Sequence, residues 1–178
     1  TNKRWLYPYF IMKQKPYFTI VIPTYGRFQQ LGECLRSIGH LDYPGEDFEV
    51  VVVDDGSPEP PENIVEPYKD KLNARLVVQP HAGPATARNR GVGEAAGTFI
   101  AFTDDDCRPA ADWLTKLRSR LDADPESIIA GNTVNILTDN PYSAASQMLI
   151  DYLNAYYNAE NARFLTSNNM ALSRDVFI

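Results

Sequence analysis

Residues 48–57 read FEVVVVDDGS. Four consecutive valines lack the alternation of a strand with one wet face, so the run belongs in a sheet covered on both sides. The acidic residues and the Gly-Ser pair that follow mark a turn out of it. Three more short apolar runs share the pattern: YFTIVIP (17–23), ARLVVQP (74–80) and GTFIAFTDDD (97–106). Stretches with helical character lie between them. In FQQLGECLRSIGHL, Leu31, Cys34, Leu35 and Ile38 recur at i, i+3, i+4 and i+7, one face of a helix. GPATARNRGVGEAA carries Pro84 where a first helical turn tolerates it, and PENIVEPYKDKL reads as a weaker helix. Strands alternating with helices predict an α/β fold, a mostly parallel central sheet flanked by helices.

Further along, residues 111–121 read as a helix with Trp113, Leu114 and Leu117 inward. SIIAGNTVNIL (127–137) reads as a further strand. SAASQMLIDYLNAYYNAENA (143–162) reads as a long helix whose Tyr152, Tyr156 and Tyr157 serve core and surface packing. TSNNMALSRDVF (166–177) closes as a strand and a helix start. Residues 1–16, aromatic and basic with two prolines, form an arm ahead of one domain spanning 17–178.

The 178-residue chain has a net charge of −6, which argues against a general nucleic-acid binder, because a phosphate backbone calls for a basic face. An acidic protein that binds an anionic small molecule needs a local cation, either Arg and Lys or a metal. Two cysteines, Cys34 and Cys107, without a CxxC pair, fit a reducing, cytoplasmic setting better than a disulfide framework or zinc ribbon. No apolar run approaches the roughly 18 residues of a membrane span.

In open α/β sheets ligands bind outside the carboxyl ends of the strands. The first strand ends there in Pro23, Thr24, Tyr25, Gly26 and Arg27; the second ends in Asp54 and Asp55; the fourth ends in Asp104, Asp105 and Asp106. Five carboxylates from two strands on one rim suit a hard divalent cation, Mg²⁺ or Mn²⁺, completed by substrate phosphates. Alternation along an extended chain would turn Asp104 and Asp106 to one site and Asp105 elsewhere. The Asp54–Asp55 pair suits hydrogen bonds to a base or ribose, Tyr25 suits stacking on a base, and Arg27 and Arg88 suit base oxygens or phosphates. Other motifs fail. No P-loop or nucleophile elbow is present, and GVGEAAG (91–97) stands at a helix end rather than a helix start, so its glycines read as helix terminators. His40 and His81 read as surface residues, although His81 lies near the rim, and Cys107 reads as a packed thiol.

TIVIPTYGR, VVVDDGS, GPATARNRGVGEAAGTFIAFTDDD, the following DWL and SNNMALSRDVF together resemble glycosyltransferase family 2 on the GT-A fold, over residues 18–178. The resemblance implies a nucleotide-sugar donor, UDP-linked, and a Mn²⁺ or Mg²⁺ ion. It implies that Pro23, Thr24, Tyr25 and Arg27 line a nucleoside pocket and that Asp54 and Asp55 meet uracil. Ala85 and Arg88 would lie near base and ribose, Asp104 and Asp105 on the ribose side, and Asp106, with Asp104, at the metal. Asn168 and Asn169 would lie near the donor sugar or acceptor. The implied reaction is inverting hexosyl transfer to a hydroxyl of a carbohydrate, polysaccharide or glycolipid. The family's catalytic base lies downstream of the stretch matching SNNMALSRDVF, so no base is assigned here. The expectation is a donor-binding piece with little or no turnover, with peripheral membrane attachment left to sequence beyond Ile178. A non-catalytic module that holds nucleotide or a partner is the alternative. A phospho-accepting receiver domain ranks last, because its acids follow the first and third strands.

Overall fold

The computed structural model describes residues 15–159 and 162–177, so the expected arm over 1–16 lies outside the described residues except for Lys15 and Pro16. Six strands form one sheet: β1 (Phe18–Thr24), β2 (Phe48–Asp54), β3 (Ala74–Val78), β4 (Phe99–Thr103), β5 (Ile129–Ala130) and β6 (Asn169–Ser173), in the order β3-β2-β1-β4-β6-β5. β1 pairs in parallel with β2 and β4, and β2 with β3, while β6 runs antiparallel to β4 and β5. The helices are α1 (Phe28–Ile38), α2 (Glu62–Val65), α3 (Pro84–Glu94), α4 (Trp113–Ala123), α5 (Pro141–Tyr157) and α6 (Arg174–Phe177). The expected mostly parallel α/β sheet is the observed one.

Every residue of β1 and β2 is buried, as the unbroken valine run requires. Alternation divides each strand between two faces. Phe18, Ile20, Ile22, Val50, Val52 and Ala101 meet α1 and α4 through Leu31, Leu35, Leu114 and Leu121. Val21, Ile100 and Phe102 meet Val92 of α3 on the opposite face, where Val51 and Val53 meet Ala87. Each such side chain contributes about 1.5–3 kcal/mol by leaving water, so the central strands anchor the fold.

One charge lies inside this sheet. Glu49 of β2 is 2% exposed. Its carboxylate accepts from Thr19 Oγ1 at 2.6 Å, Arg75 Nη1 at 2.6 Å and the Ala96 amide at 2.7 Å, tying β1, β2, β3 and the α3–β4 link together. Burial works to raise its pKa, but these donors and the Arg75 charge outweigh it and hold the carboxyl below the usual range. A depressed folded-state pKa stabilises fully above the unfolded carboxylate value, about 4.3, and less as pH falls through the folded value. Glu49→Gln is therefore expected to be less stable than wild type near neutrality, with the gap closing as pH drops from about 5 toward 3. Urea unfolding across that range checks this; a gap that stays constant would mean that the charge does not matter.

Four expected elements differ. The strand expected over 127–137 pairs only at Ile129–Ala130, and its last ladder bond runs from Gly131 N to Asn169 O. Beyond that point the Asn169 amide bonds Asn132 O in place of a strand, and Val134, Ile136 and Leu137 turn outward. The weak helix over 61–72 breaks into α2 and a 3-10 turn, Glu66–Tyr68, at Pro67, which has no N–H to continue an α-helix. The glycines read as helix terminators do not end α3, which runs through Gly91 and Gly93 to Glu94. Gly91 is instead a packing residue, since a Cβ there would collide with Val21 Cγ1. α5 begins at Pro141, where Asn140 Oδ1 accepts from the amides of Tyr142 and Ser143. None of its residues is buried, so Tyr152, Tyr156 and Tyr157 lie on the surface rather than in the core.

The strand order reverses between β1 and β4: the chain builds outward through β2 and β3, then crosses back to β4 on the other side of β1. That switch point opens a crevice at the carboxyl ends of the strands.

Candidate active site

The two strands that flank the crevice are joined across it. Thr24, the last residue of β1, donates its hydroxyl to Asp105 Oδ2 at 2.7 Å. Asp105 is 4% exposed and also meets Arg27 Nη1 at 3.4 Å. Burial raises its pKa, with Asp106 and Asp104 adding to the rise and Thr24 and Arg27 opposing it. β4 ends at Thr103 and residues 105–106 form a turn, so extended-chain alternation stops before the acidic triplet. Asp104 and Asp105 consequently face one cavity and Asp106 another.

The first cavity has a volume of about 330 Å³. β1 and its turn contribute Pro23, Thr24, Tyr25 and Arg27, the β2 end contributes Asp55, and the β3–α3 loop and α3 contribute His81, Pro84 and Arg88. Arg88 pairs with Asp104, and its buried Nε has no partner among the described residues. The second cavity is a groove of about 1020 Å³ on the far side of the triplet, lined in part by Asp106, Arg108, Trp113, Lys116, Asn168 and Asn169. Asp106 is half-exposed and pairs with Arg27 Nη1 at 2.8 Å. The acidic turn is thus the wall between the two cavities.

The two carboxylates after β2 have different surroundings. Asp54 is fully buried and its oxygens accept from the Ser57 amide and hydroxyl; it supports the turn and does not line the cavity. Ser57 Oγ in turn accepts from Gly26 N at 2.8 Å, fastening the β1 turn to the β2 turn. Asp55 does line the cavity. Its Oδ1 accepts from Gln79 Nε2 at 2.7 Å and Ala82 N at 2.9 Å, and its Oδ2 accepts from Gly83 N at 2.9 Å and meets His81 Nδ1 at 2.9 Å. Burial pushes its pKa up, but the Ala82 amide, Gln79, the Gly83 amide and His81 pull it below the ordinary range. Gly56 makes the close approach possible: its φ is +81°, and a Cβ there would stand 2.7 Å from His81 N.

Ala85 is exposed in the first turn of α3 and does not line the cavity, although its neighbour Pro84 does. Asn169 is spent on structure: its Oδ1 accepts from Trp113 Nε1 at 2.9 Å, and its Nδ2 donates to Asn132 O. Asn168 lines the groove, its buried Oδ1 without a partner among the described residues. His81 is exposed, as expected of a residue near the rim, and also forms part of the cavity wall, with its ring 4.5 Å from that of Tyr25. The signal for it was positional, since the loop after β3 opens onto the same rim as the other strand ends.

The chain matches the Glycosyl transferase family 2 model over residues 19–178. It belongs to glycosyltransferase family 2. This family 2 chain is 26% identical over 166 residues to the glycosyltransferase AglE of Haloferax volcanii, covering 92% of the chain and 52% of that relative. It is 38% identical over 91 residues to the poly(ribitol-phosphate) beta-N-acetylglucosaminyltransferase TarS of Staphylococcus aureus, covering 50% of the chain and 16% of TarS. The chain therefore spans about half of the first relative's length and its match a small part of the second's. Among solved structures, TarS residues 1–349 in complex with UDP-GlcNAc align with a TM-score of 0.59 at 31% identity, covering 66% of this chain and 36% of that one. A mannosyltransferase from Pyrobaculum calidifontis, solved with GDP-Man and Mn²⁺, aligns with a TM-score of 0.72 at 24% identity, covering 90% and 45%, and shares the fold.

In this family 2 member, no three His, Cys, Asp or Glu side chains among the described residues form a ready cation cage. Asp106 nevertheless offers hard oxygen ligands beside the groove, which fits an ion that takes one or two carboxylates and completes its shell with phosphates and water; Asp104 opens on the other cavity and would have to turn to share that ion. Among the described residues, no helix is long and apolar enough to cross a membrane.

Proposed function

We propose that this chain carries the donor site of a glycosyltransferase that moves a hexose from a UDP-sugar to a hydroxyl of a carbohydrate, polysaccharide or glycolipid, with inversion. The observation that carries this reading is the junction of two cavities at one acidic turn: a small polar one beside Tyr25 and a larger groove beside Trp113. A nucleoside diphosphate suits the first and an acceptor suits the second, which brings the bond to be broken to Asp104–Asp106. The family, and the UDP-GlcNAc complex of TarS, support a UDP-linked donor.

Tyr25, 48% exposed, offers a ring face for the base. Arg88 and Arg27, now paired with Asp104 and Asp106, become available to phosphate oxygens when those carboxylates turn to an ion. A bound Mn²⁺ or Mg²⁺ would be held by Asp104 and Asp106, and supplies Lewis-acid stabilisation of charge on a leaving diphosphate. The acceptor hydroxyl must lose its proton as it attacks; no side chain of this chain is assigned that role.

A thermal-shift panel of nucleoside diphosphates and nucleotide sugars, with and without Mn²⁺, tests the donor site. UDP and UDP-sugars are expected to raise the melting temperature, more so with Mn²⁺. No shift with any nucleotide would overturn the reading. Binding without sugar transfer to a panel of glycan acceptors would favour a nucleotide-holding module over an enzyme.

A further inference from the structure

The chain itself supplies counter-ions to the acidic turn. Asp104 pairs with Arg88, and a single nitrogen, Arg27 Nη1, stands 2.8 Å from Asp106 Oδ2 and 3.4 Å from Asp105 Oδ1. Arg27 follows β1 and lines the smaller cavity, whereas Asp106 lines the groove, so the guanidinium reaches over the wall between them. It thereby sets a positive charge against the very carboxylate that faces the groove with hard oxygen ligands. An ion on Oδ2 must displace the guanidinium. An ion on Oδ1 must sit beside it, like charge against like charge.

The two arginines are not equally free to leave. Arg88 is largely buried on α3, while the Arg27 side chain is 54% exposed. Among the described residues Asp105 and Asp106 are the only partners of the Arg27 guanidinium. Asp105 keeps the Thr24 hydroxyl at 2.7 Å if Arg27 swings away. A planar guanidinium pairs with phosphate oxygens as well as it pairs with carboxylates. A diphosphate in the smaller cavity therefore offers Arg27 a new partner and frees Asp106. Each ligand then removes what the other must overcome, and such coupling is reciprocal.

We propose that Arg27 is the resident counter-ion of the acidic turn: it competes with the divalent cation for Asp106, and the donor's diphosphate relieves the competition by taking the guanidinium. The inference rests on the donor reading above and deepens it by naming the side chain that makes ion binding depend on nucleotide.

Electron paramagnetic resonance, which registers free aqueous Mn²⁺, measures the protein's affinity for the ion without and with UDP; a titration of UDP alone corrects for the complex the two form in solution. Wild type is expected to bind Mn²⁺ weakly by itself and at least about tenfold more tightly with UDP. Arg27→Gln is expected to bind Mn²⁺ alone about threefold to tenfold more tightly than wild type, because the competing charge is gone, and to gain less from UDP. Arg90→Gln is the control: Arg90 is 55% exposed and pairs with Glu94 on α3, so its loss removes the same charge away from the turn and should leave the Mn²⁺ affinity unchanged. Thermal melts confirm that each variant is folded. If Arg27→Gln binds Mn²⁺ alone no more tightly than wild type, if it keeps the whole gain from UDP, or if Arg90→Gln tightens binding as much, the role of Arg27 is overturned while UDP binding by wild type leaves the donor reading standing. If wild type binds no UDP with or without Mn²⁺, the donor reading itself falls and this inference with it.

Discussion

Asp106→Ala is expected to remove the Mn²⁺-dependent part of nucleotide binding and to lower sugar transfer by the full-length protein about a thousandfold. Its melting temperature should stay within about 2 °C of wild type. The reason for both halves is exposure. Asp106 is half-exposed on the turn between the two cavities, and its ion-pair partner among the described residues, Arg27, is shared with Asp105. Removing it takes away a candidate metal ligand while leaving Arg27 a partner. Asp104→Ala is a poorer probe of the same question, because it strands Arg88, whose side chain is 16% exposed and whose Nε already lacks a partner among the described residues. Calorimetry of UDP with and without Mn²⁺ on wild type and Asp106→Ala decides the matter. If Mn²⁺ strengthens UDP binding equally in both proteins, Asp106 is not a metal ligand.

The largest stability effect is expected at a residue with no side chain. α3 crosses β1 and β2 at Gly91, where even a Cβ would overlap Val21 Cγ1 and stand 3.2 Å from Val53 Cγ2. Valine side chains are stiff at χ1, and both of these are fully buried, so neither can swing aside. Gly91→Val must push α3 off the sheet. The expected cost is about 3 kcal/mol, from overpacking beyond a single methyl, or a fall of roughly 6–12 °C in melting temperature for a domain of this size. Because Arg88 lies one helical turn earlier on α3, nucleotide binding should weaken as well, even at temperatures where the variant is folded. A thermal melt close to that of wild type would mean that α3 does not sit this close to the sheet.

These two residues also show which parts of the molecule could be read from the chain. The fold was legible because its signals are local. The four valines of β2 demand a sheet covered on both faces, and Leu31, Cys34, Leu35 and Ile38 mark one face of α1 wherever it packs. The acids at the strand ends were legible for the same reason, since a parallel sheet puts all those ends on one rim. Where ladder partners were needed, local signals failed. The run after Ile128 is apolar enough for a strand, but only Ile129 and Ala130 are paired as one, because the Asn169 side chain takes the position after Gly131.

The division of labour among the acids came from the tertiary structure alone. Asp54 and Asp55 are adjacent and chemically identical, yet one supports Ser57 inside the fold and the other clamps the loop bearing His81. Asp104, Asp105 and Asp106 are likewise parted by a turn that begins at Asp105, two residues past the end of β4. The sequence by itself determined an α/β sheet with carboxylates gathered at one edge, since periodicity and strand polarity are properties of the local chain. Which oxygen of Asp55 remains free for a ligand depends on donors that arrive from a loop more than twenty residues away, and only the packing of that loop against Gly56 decided it.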